Sequence, residues 1–217
     1  MTLAETKEII LKKIDHEFVL PLSIIDTSVQ MEKLDSKESE FLDVISCAKT
    51  ALLIAYKNIK YLLSEKADEK TAVILNDFIA YKIKKLTPDV KAYGVSFSFI
   101  DNNIKYEIYI AESELDVLIE NIFSVCAKYS DQNNVIKASI CQNNDNTISL
   151  TVKTKGKKAE AMAESFLNFK NDINKDDGIG LGIFVCRLIC DTNKYPFGVT
   201  QVGDETVVEV CLCGDKI

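Results

Sequence analysis

The chain has 217 residues, 47% of them hydrophobic, and a formal net charge of −7, so it can bury one large core or two small ones and is too apolar to remain disordered. Its 26 basic and 33 acidic residues are interspersed, with no basic run longer than two, which argues against a nucleic-acid partner because phosphate neutralisation needs a clustered cationic face. No run of 18 apolar residues occurs, and Glu5, Glu8, Asp15 and Glu17 interrupt the first twenty positions, so neither a membrane span nor a signal peptide is expected.

From residue 3 to about residue 30, Ile10, Ile14, Phe18, Ile25 and Val29 recur at helical spacing, which predicts a long amphipathic helix. A polar turn at 33–37 ends it. A second helix is expected over 38–64, with Phe41, Ile45, Ala48, Leu52, Ala55, Ile59 and Leu62 as its stripe. Two such helices with a short connection make an antiparallel hairpin. One hairpin cannot hide both apolar faces, so pairing of two copies into a four-helix bundle, a homodimer, is expected.

Beyond the charged segment at 64–70 the pattern becomes mixed. A third helix is expected over 71–86, stopped by Pro88. Strands over 95–100 and 105–110 read as a pair joined by Asp101-Asn102-Asn103. Ser113, followed by Asp116, opens a helix over 113–129 with a capping pattern. Strands over 135–141 and 147–153 flank another Asn/Asp turn. A helix over 159–169, a polar loop over 170–178, a helix over 180–190 and closing strands at 197–202 and 207–212 complete the chain. The expected fold class is α+β: an N-terminal helical hairpin, residues 1–67, followed by an α/β sandwich, residues 68–217, with helices on one face of a mixed sheet.

The seven cysteines, Cys47, Cys126, Cys141, Cys186, Cys190, Cys211 and Cys213, are odd in number and lie mostly in apolar runs, the usage of reduced, packed thiols in a cytoplasmic protein. Cys186 and Cys190 stand one helical turn apart, and Cys211 and Cys213 alternate on a strand. With no CxxC and a single histidine, no metal site is expected.

That histidine is His16, in the run Asp15-His16-Glu17-Phe18-Val19-Leu20-Pro21-Leu22. A histidine taken alone is ordinarily a half-exposed surface residue. Imidazole is nonetheless the side chain best suited to reversible phosphoryl transfer, being nucleophilic at neutral pH and giving a phosphoramidate that readily yields the group. Glu17 can orient the ring or take its proton. Pro21 lacks an N–H and crowds the carbonyl four residues earlier, so the helix should kink or loosen one turn beyond His16. Lys12 and Lys13 lie within a turn of the histidine, where either could neutralise phosphate charge, although a solvated role is the ordinary one for each.

His16-Glu17 with Pro21-Leu22 resembles the HExxxPL phosphoacceptor box of histidine kinases. Downstream, Asp177-Gly178-Ile179-Gly180-Leu181-Gly182-Ile183 resembles the GxGLGxxI box of the GHKL ATPase domain, with Gly178, Gly180 and Gly182 opening a helix whose first N–H groups are free. The segment from Glu120-Asn121 to Lys128-Tyr129-Ser130 resembles the N-box helix of that domain, but Val125 stands at the magnesium-binding asparagine. Valine offers a hard cation no oxygen. Where the adenine-recognising DxGxG box is expected, the chain reads Thr154-Lys155-Gly156-Lys157-Lys158, so a hydroxyl replaces the carboxylate. Loss of both ligating groups argues against ATP as donor, since transfer from ATP depends on metal positioning and charge neutralisation.

A kinase-like chain that keeps its histidine and loses its nucleotide pocket resembles the ChpT-type histidine phosphotransferases, whose H-[DE]-F-[IV]-x-P-x-S-x-I pattern matches the run from His16 to Ile25 through Phe18, Val19 and Ser23. This resemblance implies a relay without a cofactor of the chain's own: one receiver domain, on a hybrid histidine kinase, passes a phosphoryl group to His16, and a second, on a response regulator, takes it. Magnesium would belong to the receivers. Phe18, Val19, Leu22 and Ser23 are the candidate docking residues, against the ordinary alternative of packing within the bundle. The intact glycine box departs from what an abandoned ATP site requires. Two other readings stay open: an ATP-dependent histidine kinase with an atypical pocket, and a non-enzymatic adaptor with a GHKL-like fold.

Overall fold

The structure, a computed structural model, describes residues 18, 21–25, 27, 38–63, 69–90, 93–144, 147–156, 159–160, 163 and 180–217. Helix α1 spans Glu38–Leu63, followed by β1 Thr71–Ile74, α2 Leu75–Val90, β2 Ser96–Ile100, β3 Tyr106–Ile110 and α3 Glu112–Tyr129. The hairpin β4 Val135–Gln142 and β5 Thr147–Lys155 comes next, then α4 Leu181–Asn193, β6 Phe197–Val202 and β7 Glu205–Lys216.

Alternating burial along the strands sets the layers, because successive side chains of a strand point to opposite faces. In β3, Tyr106, Ile108 and Ile110 are buried and Tyr109 between them is exposed. The inward residues form one sheet surface that α2 and α3 cover, with α4 packed against α3. Ile136, Ile148, Leu150, Val152 and Val210 from the sheet join Leu118, Ile122, Phe123, Val185 and Ile189 from the helices in a single core. The Phe97 and Phe123 rings meet across the layers with centroids 5.2 Å apart, in a tilted contact.

Among the described residues the sheet has seven strands in the order β1-β3-β7-β5-β4-β2, with β6 also on β7. All pairings are antiparallel except β2 with β4, whose register runs from Ser96 opposite Val135 to Ile100 opposite Ser139. A parallel neighbour demands a crossover connection, and here β3 and α3 supply it. β7 pairs with β5 along Glu205–Cys213, with β6 along Glu205–Val210 and with β3 at Gly214–Lys216. Gly214 is needed there, because a β-carbon would lie 2.3 Å from the Glu107 carbonyl oxygen.

Several expectations are corrected. Residues 71–74 form a strand, with Thr71 opposite Ile110, so α2 starts at Leu75. It also runs through Pro88 to Val90, since proline in a last turn forfeits only one helical hydrogen bond. Strands β2 and β3 do not form a hairpin. Asn76 holds the connection between them, donating to Asp101 and to the Ile104 carbonyl and accepting from the Tyr106 N–H, and the strands leave for different parts of the sheet. The cap of α3 is Ala111, not Ser113, and no side chain bonds there. The mixed sheet with its helices on one face is as expected. Most of the first hairpin helix, the loop over 170–178 and most of the helix over 159–169 lie outside the described residues, as does the segment 64–68 that carries the expected domain boundary.

Candidate functional site

His16, Glu17, Val19, Lys12, Lys13 and Gly178 lie outside the described residues. Phe18 is half-buried in a wide π-type turn, and regular helix runs over 21–25. Such a turn fits a chain in which Pro21 has removed one donor of the ladder. Pro21 is buried, whereas Leu22 is 53% exposed and Ser23 and Ile24 beside it also face solvent. Of the expected docking residues, Leu22 and Ser23 are thus on the surface and Phe18 is partly withdrawn.

The segments that resemble the nucleotide boxes meet on α3. Gly180 is the N-cap residue of α4 in extended conformation, and Gly182 in the first turn packs against α3. A β-carbon on residue 182 would lie 2.7 Å from Asn121 Oδ1 and 3.5 Å from Val125 Cγ2, so glycine lets the two helices approach closely. Val125, which the resemblance aligns with the metal-binding asparagine, is half-buried and has no oxygen to offer a cation. Thr154, at the end of β5, is almost wholly buried, its hydroxyl 3.3 Å from the Asn134 amide nitrogen and 3.5 Å from the Cys126 carbonyl. Gly156 has φ +142°, and a β-carbon there would strike Asp131. That glycine therefore has a backbone reason to be present whether or not a base is bound.

Asn121, one helical turn before Val125, is engaged by α1 and by its own helix. Its Nδ2 donates to Asn58 Oδ1 at 2.6 Å and to the Val117 carbonyl at 2.8 Å, while its Oδ1 accepts from Asn58 Nδ2 at 2.9 Å. Among the described residues, Val125 offers a cation no oxygen and the Asn121 amide is already paired with Asn58.

Beside this amide pair lies a charged cluster that sequence reasoning missed. Lys57 of α1 reaches Asp116 at 2.7 Å and Glu120 at 2.5 Å, and Lys82 of α2 contacts Asp116 and lies 2.8 Å from Glu120. Lys85 adds a longer contact to Glu120, at 3.4 Å. Burial acts to raise the Glu120 carboxyl, but hydrogen bonds from Lys57 and Lys82 outweigh it and hold the group below the ordinary range. For Lys82 burial wins: its ammonium is pushed below the ordinary value despite the Glu120 hydrogen bond. Glu114 completes the junction, accepting from Tyr61 at 3.4 Å and from Asn193 at 2.9 Å. The available signal was Asn58, an amide three residues after Ala55 and four before Leu62 on an otherwise apolar stripe.

The described cysteines are all free thiols, and among the described residues no group of three or more metal-ligating side chains is assembled. No described helix is long and apolar enough to cross a membrane.

No protein-family model matches the chain, and no curated protein sequence does. Solved structures do match. One, described as a bacterial phosphotransferase, superposes with a TM-score of 0.57 over 97% of both chains at 8% identity. The Acinetobacter baumannii histidine kinase AdeS superposes with a TM-score of 0.55 at 12% identity, covering 91% of this chain and 97% of that one. The catalytic domain of the histidine kinase ThkA gives 0.53 at 14% identity, covering 67% of this chain and 96% of its own. At such identities the likeness is one of architecture: the chain has the α+β fold, with its mixed sheet, of histidine-kinase catalytic domains.

Proposed function

We propose that the chain is a histidine phosphotransferase of a bacterial two-component phosphorelay, moving a phosphoryl group between receiver aspartates through His16 without using ATP. The observation that carries this reading is the chemistry left on α3 and β5 of a kinase-like fold. Val125 supplies methyl groups at the metal position, Thr154 is buried among its own neighbours, and Asn121 is engaged by Asn58. A lobe with those groups offers little to a magnesium–nucleotide, while the histidine box remains in the sequence. The likeness in fold to a bacterial phosphotransferase over nearly the whole chain supports the same reading.

In the proposed transfer, a neutral ring nitrogen of His16 forms a P–N bond as the acyl-phosphate P–O bond breaks, and the donor aspartate leaves as carboxylate. Glu17 takes or shares the ring proton and stabilises the charged imidazole. A second receiver aspartate reverses the step. Magnesium stays with the receivers, and Leu22 and Ser23, exposed and six and seven residues beyond the histidine in sequence, belong to their docking face with Phe18 and Val19. The protein acts as a cytoplasmic homodimer: α1 carries Leu53, Tyr56 and Leu63, each more than half exposed and spaced three and seven residues apart, a face that a second helix pair would cover.

The test is phosphotransfer profiling with radiolabelled receiver domains. Acid-labile label should move to the chain from a phosphorylated receiver, His16→Ala should abolish it, and the chain with ATP and magnesium alone should stay unlabelled. Labelling by ATP alone would make it a kinase. No transfer from any receiver, with full cellular activity of His16→Ala, would make it an adaptor.

A further inference from the structure

Three side chains on one face of α1, Lys57, Asn58 and Tyr61, grip α3. Asn58 and Asn121, 1% and 2% exposed, exchange two hydrogen bonds within an apolar seam. A buried amide pair of this kind is costly to leave unpaired and satisfied in only one alignment, so it fixes the register of the helices that carry it. Gly182 is part of the same seat, because any larger residue would press on the Asn121 oxygen. One turn toward the start of α3, Lys57 bridges Asp116 and Glu120, and Tyr61 bonds Glu114.

We infer that Asn121 and Gly182, one from each of two segments that resemble nucleotide boxes, serve here as the seat of a clamp that fixes α1 on the sandwich and holds the Asn121 amide in its pair with Asn58. This explains why residue 182 is glycine although valine stands at 125: Gly182 answers to the packing of α4 on the Asn58–Asn121 pair. It also makes the sandwich and α1 one mechanical unit, a conformational device that goes beyond the role proposed for His16.

Hydrogen exchange by mass spectrometry on the full chain tests the clamp, with no phosphoryl donor present, so its result stands apart from the question of phosphotransfer. Asn58→Ala should speed exchange of amides at 54–63 and in the first turns of α3 by about tenfold, with β4 and β5 unchanged. Asn58→Ala combined with Asn121→Ala should exchange no faster than the more labile single variant, because the pair acts as a unit. Unchanged exchange in α1, or effects that simply add, would overturn the proposal. If Asn58→Ala loses protection everywhere, Lys57→Met decides, since that side chain is one-third exposed: loosening confined to α1 and α3 supports the clamp, and none refutes it.

Discussion

Lys82 is among the largest fully buried side chains of the described residues, and its presence among Phe78, Tyr81 and two carboxylates is tolerable only because Glu120 and Asp116 answer its charge. Removing Glu120 leaves that buried ammonium with the half-exposed Asp116 as its remaining carboxylate. Glu120→Ala should destabilise the chain by about 3 kcal/mol, the scale for breaking a buried ion pair, read as a shift in the urea midpoint. The pH dependence follows from the carboxyl's lowered titration. Glu120 binds a proton more readily unfolded, near 4.5, than folded, so its contribution is complete above that value and is lost as the pH falls through the lower folded one. Melting temperature measured from pH 7 to pH 3 should therefore drop less steeply for Glu120→Gln than for the parent, from a lower starting point.

At the scale of elements, α1 is two-faced: Ala48, Ala55, Asn58 and Leu62 are buried while Leu53, Tyr56 and Leu63 are exposed. Leu53→Glu with Tyr56→Glu should convert the proposed dimer to monomer in sedimentation velocity without loss of helix signal, since these positions touch no core. Helices α1, α3 and α4 and the β4–β5 hairpin were legible in the sequence because each announces itself by local periodicity and a turn. Residues 71–74 were not, because four residues running straight into a helix are strand only by virtue of pairing with β3. Nor was the separation of β2 from β3, which depends on a parallel pairing with a strand formed after an intervening helix. The site divides the same way. Val125, Thr154 and Gly182 stood out by motif, whereas Asn58 and Lys82 gain meaning only from partners 63 and 38 residues away.

Across the whole molecule the thiols sort by layer. Cys126 and Cys190 are pushed up to about 12 by burial, Cys186 is raised as well, and all three sit in the core. Cys141 and Cys213 lie exposed on β4 and β7. A thiol-reactive dye at neutral pH should therefore modify Cys141 and Cys213 in the native chain within minutes. Cys126, Cys186 and Cys190 should react only when denaturant opens the fold. Fast labelling of those three would contradict the packing of α4 on α3.

The pairing of β7 with strands on both its sides has a kinetic meaning. During synthesis β1 to β6 emerge before the strand that joins them, so the nascent sheet stays split, with β4–β5 the longest antiparallel pair among the described strands able to form before β7. Closure awaits the arrival of Glu205–Lys216, and the apolar edges of β3, β5 and β6 are open until then. Pairing over such sequence distances is slow and leaves a window for aggregation.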